Sequence, residues 1–183
     1  MKVVAYCAAS FRDSVSKAAG VEPLLAPPWT KDTITPDHLD QPDLLYVKLH
    51  GIPSQPFWYG DHWQTALDTD TIDKLDLSRT IVFVANCHTF QQREDGIQKS
   101  PMLQALLQAG AQAVVGGPDQ NYAKSHKMHG ADLLGFYFRI ALSCHCPPVW
   151  AFRIARATLA ARPYQDLATA DTLAFHCFTQ EDA

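Results

Sequence analysis

The sequence predicts an α/β protein with a mostly parallel central sheet and helices on both faces of that sheet. Short apolar runs of strand length alternate along the chain with segments of helical periodicity, the order that builds parallel sheets. A chain of 183 residues has the size of one domain. Repeats, low-complexity segments and linkers are absent from the sequence, so residues 1–183 are expected to form a single domain.

The first forty residues predict two strands joined by a short helix. Residues 2–8 are apolar and β-branched and end in small residues, as a buried strand does. Ser10 or Asp13 is expected to cap the following helix, and Gly20 to end it. Residues 21–26 form the second predicted strand, which is closed by two prolines.

The next forty residues predict a third strand and an aromatic loop. One helical turn is expected near residues 36–39, before an apolar strand at 44–49. Residues 51–63 then form either the wall of a substrate groove or a hairpin folded onto the body. Asp70 or Thr71 is expected to cap a short helix after this loop. The aromatic residues of the loop are Phe57, Trp58, Tyr59 and Trp63.

The middle of the chain predicts a strand at residues 80–87, a mobile polar loop at 88–99 and a well-defined helix. Ser100 supplies the capping hydroxyl of that helix, Pro101 suits its first position, and Gly110 ends it.

The last seventy residues predict one more buried strand, two helices and an edge strand. The strand occupies residues 113–117, the first helix 127–141, and the edge strand 172–178. The second helix begins at Pro147 and Pro148. On that helix, one face is expected to carry Trp150, Ile154 and Ala157.

Composition narrows the function classes. The net charge of −4 provides no basic surface for phosphates, so no nucleic-acid partner is expected. No apolar run is long enough for a membrane span or a signal peptide. Five cysteines without a framework spacing suit the reducing cytoplasm. Cys144 and Cys146 lie too close together for a usual zinc site, so neither a metal nor a cofactor is expected.

Two apolar strands each run directly into a reactive residue. The strand at 44–49 leads to His50, and the strand at 80–87 ends at Cys87. Side chains just past the carboxyl ends of neighbouring parallel strands share one crevice, so these two residues are expected to face each other. A thiol beside an imidazole is a nucleophile with its base. His88 is adjacent to the thiol but should point away from it, which leaves His50 as the better base.

This ordered set of motifs resembles the caspase-type cysteine peptidases, which include caspases, legumains, gingipains, separases and bacterial CHAT proteases. The likeness is greatest to the CHAT proteases and covers roughly residues 44–178. It departs from their usual pattern at Asn86 and His88, which flank the cysteine. The matching motifs are His50-Gly51, Leu75-Asp76-Leu77, Cys87-His88-Thr89, Ala109-Gly110-Ala111, Phe136-Tyr137 and Ala155-Arg156-Ala157.

The resemblance implies a three-layer, caspase-hemoglobinase-like fold and cleavage of protein or peptide substrates through an acyl-enzyme. Cys87 would attack the scissile carbonyl, and His50, across the scissile bond, would protonate the leaving amine. Backbone N–H groups of Gly51 and Cys87 would hold the oxyanion.

The resemblance also implies where the residue before the cut would bind. In the family, the pocket for this residue is built by the loop after the first strand, by the residues just before the cysteine, and by the loop after the next strand, here the strand at 113–117. Asp119, in the last of these loops, would form an acidic floor that favours an Arg or Lys side chain of the substrate. Arg12 would instead favour an acidic side chain. A basic residue before the cut is preferred. The pocket residues in this sequence are Ser10, Arg12, Asp13, Ala85, Asp119 and Asn121.

Other functions remain open at this point. A catalytically silent binding or scaffold module could keep the fold, although it would have no need of both His50 and Cys87. An amidase of the glutamine-amidotransferase type would want glycines around the nucleophile, and a nucleotide-binding domain would want a Gly-rich loop after its first strand. Regulation of a peptidase by a partner protein, or by the segment 88–99 through cleavage at Arg93 or Lys99, is a further hypothesis.

Overall fold

Six strands form the central sheet of the computed structural model, which describes residues 1–39, 41–118, 120, 127–162 and 171–182. The strands of the described chain are β1 (Val3–Ala8), β2 (Leu24–Ala26), β3 (Leu44–Lys48), β4 (Phe57–Tyr59), β5 (Thr65–Asp68), β6 (Ile81–Val84), β7 (Phe90–Arg93), β8 (Gly96–Lys99), β9 (Ala113–Gly116) and β10 (His176–Thr179). The α-helices that lie entirely within the described residues are α1 (Arg12–Ala19), α2 (Thr69–Ile72), α3 (Pro101–Gln108), α4 (Ala131–Ser143) and α5 (Pro148–Ala160).

The central sheet has the strand order β10-β9-β6-β3-β1-β2. Every neighbouring pair in it is parallel except β10 with β9, which is antiparallel at the edge. The prediction of a mostly parallel sheet with a final edge strand is therefore confirmed. The other strands pair as two antiparallel hairpins, β4 with β5 and β7 with β8.

Helices cover both faces of this sheet, as predicted. Strand residues alternate between two apolar clusters because successive side chains point to opposite faces. One cluster joins the sheet to α1, α4 and α5; the other joins it to α2, α3 and the aromatic hairpin. On β3, for example, Tyr46 faces the first cluster and Val47 the second. Among the described residues, no helix is both long and apolar enough to cross a membrane.

The helix caps differ from the sequence predictions in two places. Helix α1 follows Phe11 and has no side-chain cap, because Ser10 is bonded elsewhere, and it ends at Gly20 as expected. Helix α2 is capped by Asp68, whose Oδ1 accepts from Thr71 N at 2.9 Å, rather than by Asp70 or Thr71. For α3, the predicted Ser100 cap is confirmed.

Residues 90–99 form the β7–β8 hairpin, so most of the polar loop predicted at 88–99 consists of two paired strands. Short polar segments are compatible with an exposed strand as well as with a loop, and hydrophobic periodicity does not separate the two. Of the two readings of residues 51–63, the hairpin is the one observed, as β4 turns back to pair with β5 and Trp58 is buried. Trp63 is exposed and so is still available to line a substrate groove.

Helix α5 buries a different face from the one the sequence indicated. Trp150 and Ile154 are exposed, with Arg153 lying over the Trp150 ring. Small residues on the opposite face let α5 pack closely against α4 and the sheet, and close approach of backbones decides the buried face. The buried residues of this helix are Ala151, Phe152, Ala155 and Leu159.

Candidate active site

The segments carrying His50 and Cys87 touch at the carboxyl edge of the sheet. They follow β3 and β6, which are adjacent and parallel, with Val47 registered on Val84. A β-carbon added to Gly51 would lie 2.1 Å from the carbonyl oxygen of Cys87. Since no side chain fits there, glycine is the residue that lets these two backbones approach so closely.

The Cys87 segment is tied to the strands on both sides of it. The buried side chain of Asn86 accepts a hydrogen bond from Leu49 N at 2.7 Å, which joins it to the end of β3. Thr89 N donates to the carbonyl oxygen of Gly117 at 2.9 Å, just past β9. Asn86, which departs from the CHAT pattern, thus has a structural role that sequence reasoning missed.

A carboxylate that the sequence did not single out lies beside the His50 ring. Nε2 of His50 lies 3.6 Å from Oδ1 of Asp61, within ion-pair range but beyond a hydrogen bond. Ser10 holds that carboxylate through its backbone N–H to Oδ2 at 2.8 Å and its hydroxyl to Oδ1 at 2.7 Å. Asp61 lies in the aromatic hairpin, where its position carried no periodic or motif signal.

The backbone and ring of His50 are both held by aromatic residues. Its backbone N–H and carbonyl pair with Tyr59 at 2.8 and 2.9 Å. The ring centroid lies 5.1 Å from that of Phe11 and 6.0 Å from that of Trp63. The His50 side chain is nonetheless 36% exposed, so it remains accessible from solvent.

A buried ion pair lies two residues before His50. Nζ of Lys48 is 2.5 Å from Oδ2 of Asp132 at the start of α4, and 3.1 Å from the hydroxyl oxygen of Ser14 in α1. The hydroxyl of Tyr46 donates to Oδ1 of Asp132 at 2.9 Å. Burial, and then the charge of Asp132, raises the pKa of this tyrosine, which keeps its proton on the donor oxygen. Lys48 also lies over the Phe11 ring, 4.8 Å from its centroid.

The residues predicted to bind the substrate side chain before the cut differ in exposure and in their contacts. Arg12 is engaged by Glu22, with both side chains exposed. Asp13 is exposed in the first turn of α1, whereas Ala85 is buried in the core. Asp119 and Asn121 lie outside the described residues. Their roles stay predictions.

The thiols differ in burial and therefore in expected reactivity. Cys7 is buried, as predicted, and burial raises its pKa to about 12; burial likewise raises the pKa of Cys177 to about 11. Cys87 is partly exposed and Cys144 is exposed. Since the thiolate is the reactive form, Cys7 and Cys177 should be inert. In the described part of the chain, no group of His, Cys, Asp and Glu is arranged to hold a metal.

Comparison with known proteins identifies the fold. No family model and no curated protein matches the sequence. Among solved structures, the Arg-specific cysteine proteinase gingipain R is similar, with a TM-score of 0.53 and 10% identity over 97% of this chain. The chain spans 45% of the length of that protein. With its six-stranded, mostly parallel sheet, the chain has a caspase-hemoglobinase-like fold, and the predicted fold class is confirmed.

Proposed function

We propose that the protein is a cysteine endopeptidase of the caspase type, related to the CHAT proteases, that cleaves proteins or peptides through a Cys87–His50 dyad. The observation that carries this proposal is the contact between the His50-Gly51 and Cys87 segments at the carboxyl edge of two adjacent parallel strands. A fold shared with a cysteine proteinase supports it.

The reaction runs in two halves. Cys87 Sγ, as thiolate, attacks the scissile carbonyl carbon, and the C–N bond breaks as the leaving amine takes a proton from His50. Water then attacks the thioester carbon, gives a proton to His50, and the C–S bond breaks to release the carboxylic acid and restore the thiolate. Backbone N–H groups of Gly51 and Cys87 are proposed to stabilise the oxyanion in both halves.

Asp61 is proposed as a positioning residue for His50. It lies against Nε2, which leaves Nδ1 as the nitrogen that exchanges a proton with the reacting groups. Ser10 fixes both carboxylate oxygens, so the carboxylate itself is held in place. A carboxylate that orients an imidazole in this way also stabilises the imidazolium when it forms.

Replacing Asp61 with Asn should lower kcat by roughly tenfold to a hundredfold, part of the ~10²–10⁴ that general acid–base catalysis contributes. KM should stay unchanged, because Asp61 acts through His50 and not on the substrate. In NMR spectra of histidine-labelled protein, the imidazole ring resonances assigned to His50 should shift.

Exposed Asp70 is the matched control, since Asp70→Asn removes a carboxylate from the same region without touching His50. Equal loss of activity in both variants, or an unchanged imidazole signal in Asp61→Asn, would count against the positioning role.

A basic residue is proposed before the cut. The acidic side chain of Asp119, after the strand that neighbours the Cys87 strand, supports this choice. The alternative of an acidic residue depends on Arg12, whose guanidinium is already engaged by Glu22, with Nη2 2.5 Å from Oε1. Gingipain R is itself described as Arg-specific.

Restraint by the β7–β8 hairpin or by a partner protein is proposed for regulation. Arg93 is the last residue of β7 and pairs with Gly96, so the Arg93–Glu94 bond begins the exposed turn of the hairpin. A separate peptidase that cuts after arginine and accepts Glu94 after the cut would cleave this bond. Protein cleaved in this way should label on Cys87 faster than intact protein in the experiment that follows.

Covalent labelling tests the proposed function. Wild-type protein, Cys87→Ala and His50→Ala are each exposed to peptide acyloxymethyl ketones ending in Arg or in Asp, and the intact mass is recorded over time. We expect one adduct on Cys87, absent in Cys87→Ala, and formed at least about tenfold more slowly without His50. The Arg probe should react faster than the Asp probe.

The other thiols provide internal references for this labelling. Cys144 is exposed and reports ordinary thiol reactivity, whereas Cys7 and Cys177 should stay unmodified. If Cys87 reacts no faster than Cys144, the thiol is not activated, and the silent binding or scaffold module becomes the better reading.

A further inference from the structure

Trp63 is exposed and has an unusual backbone. Its side chain is 67% exposed, and both it and His62 have positive φ angles, of 58° and 59°. Bulky side chains rarely adopt this left-handed region, and large aromatic rings are rarely left in water. Residues held in such conformations cluster at binding and catalytic sites. The left-handed backbone and the exposed ring together suggest that the Trp63 indole has a binding role.

Trp63 belongs to a group of three rings around His50, the aromatic shelf, defined by Phe11, Tyr59 and Trp63. The Tyr59 ring packs edge-on against the indole with centroids 5.5 Å apart, and its backbone pairs with His50. Phe11 supports His50 from another side at 5.1 Å. The rings of the shelf are thus held by contacts with one another and with His50, while the Trp63 indole remains exposed to solvent.

The strand order places the shelf on the side of His50 away from Cys87. Across the sheet, β6 precedes β3, and then come β1 and β2. Phe11 follows β1, and the hairpin that carries the other two rings rests on the end of β2, where a β-carbon added to Gly60 would lie 2.5 Å from the Ala26 carbonyl oxygen. Cys87 follows β6, on the opposite side.

We propose that Trp63 determines specificity for the residue after the cut, and that it binds an aromatic or other large apolar side chain. This inference rests on the proposed peptidase function, in which His50 protonates the leaving amine and so faces the leaving-group side. Rings stack in offset or edge-on geometry on an exposed indole. A basic side chain is disfavoured because the nearby Asp61 carboxylate is already engaged by Ser10 and His50.

Binding of leaving-group mimics tests this inference without requiring catalysis. The Cys87→Ala protein, labelled on histidine rings, is titrated with the amides of Phe-Ala, Gly-Ala and Arg-Ala, and the His50 resonances are followed by NMR after assignment with His50→Ala. Phe-Ala amide should shift the His50 signals saturably. It should bind at least about tenfold more tightly than Gly-Ala amide, since a buried aromatic side chain contributes well over the 1.4 kcal/mol that this ratio represents.

Variants of the two exposed tryptophans separate the shelf from a general surface effect. Trp63→Ala should weaken Phe-Ala amide binding about tenfold or more, and Trp63→Phe should restore most of it. Trp150→Ala, at an exposed tryptophan of α5, should change nothing. Unchanged affinity in Trp63→Ala, tighter binding of Arg-Ala amide, or no shift of His50 would each overturn the inference. Failure of the peptidase itself would appear separately, as an unreactive Cys87 in the labelling experiment.

Discussion

Replacing Lys48 with Met should destabilise the protein by about 3–5 kcal/mol, because it leaves the Asp132 carboxylate buried without its cation. Lys48 is 3% exposed and Asp132 is fully buried, so water cannot substitute for the lost partner. For a chain of this length the melting temperature should fall by roughly 10 °C. Asp132→Leu should lower the free energy of unfolding by a similar amount, because it leaves the Lys48 ammonium buried without its anion.

Removing both charges and the Tyr46 hydroxyl at once should recover most of that loss, because the Ser14 hydroxyl still donates to the Phe11 carbonyl at 3.1 Å. The triple variant Lys48→Met, Asp132→Leu and Tyr46→Phe has no buried charge and no orphaned hydroxyl, and buried ion pairs are often replaced by apolar residues at little or no cost. Urea unfolding of the singles and the triple measures the pattern. Lys74→Met, at an exposed lysine, is the control. If either single variant lowers the free energy of unfolding by less than about 1 kcal/mol, the two charges do not depend on each other for stability.

The same network has a consequence for the site. Lys48 lies two residues before His50 on the chain and bonds to α1 and α4, so it joins the strand that delivers His50 to the helical layer. Loss of Lys48 should therefore lower the labelling rate of Cys87 as well as stability. The triple variant should recover stability further than it recovers labelling.

Gly51→Ala should reduce peptide hydrolysis and Cys87 labelling by at least about a hundredfold, the range seen when one oxyanion donor is lost. The added β-carbon would lie 2.1 Å from the Cys87 carbonyl oxygen and 3.1 Å from its carbonyl carbon. Both obstacles are backbone atoms, so one of the two segments must move. Movement of about 1 Å at reacting groups is enough to cost this much in rate.

Gly110→Ala separates this local effect from general destabilisation. Gly110 has a φ of 95°, where a side chain is strained, and its added β-carbon would lie 3.4 Å from the backbone of Ser78, which precedes β6 at the opposite end from Cys87. That variant should lose thermal stability but label Cys87 at nearly the wild-type rate at a temperature where it is folded. If Gly51→Ala labels as fast as wild type, close contact of these two backbones is not needed for the chemistry.

Much of the sheet was predictable because its signal is local. Each central strand is an apolar run bounded by turn residues, and α3 has its capping serine and proline in adjacent positions. The side chains on the two faces of β3 follow directly from the two-residue period of a strand. The hairpin was missed because each of its strands has four residues and only one large apolar side chain, Phe90 in β7 and Ile97 in β8, so nothing local distinguishes them from a loop.

The face of α5 was mispredicted for a related reason. The helix carries apolar residues on two faces. One is exposed and holds Trp150 and Ile154; the other is buried and combines two alanines with Phe152 and Leu159. Helical periodicity weighs large residues more, whereas packing against α4 and the sheet rewards small ones that let the backbones approach. The correct choice depends on the surface that meets the helix.

The positions of His50 and Cys87 just after two buried strands could be read from the chain, because each strand is a local apolar run. The residues that surround them became known from the folded structure. Asp61 meets Ser10 across 51 residues of chain, and Lys48 meets Asp132 across 84. Such partners are single polar residues brought together by folding, and no pattern along the chain marks one as belonging to the other.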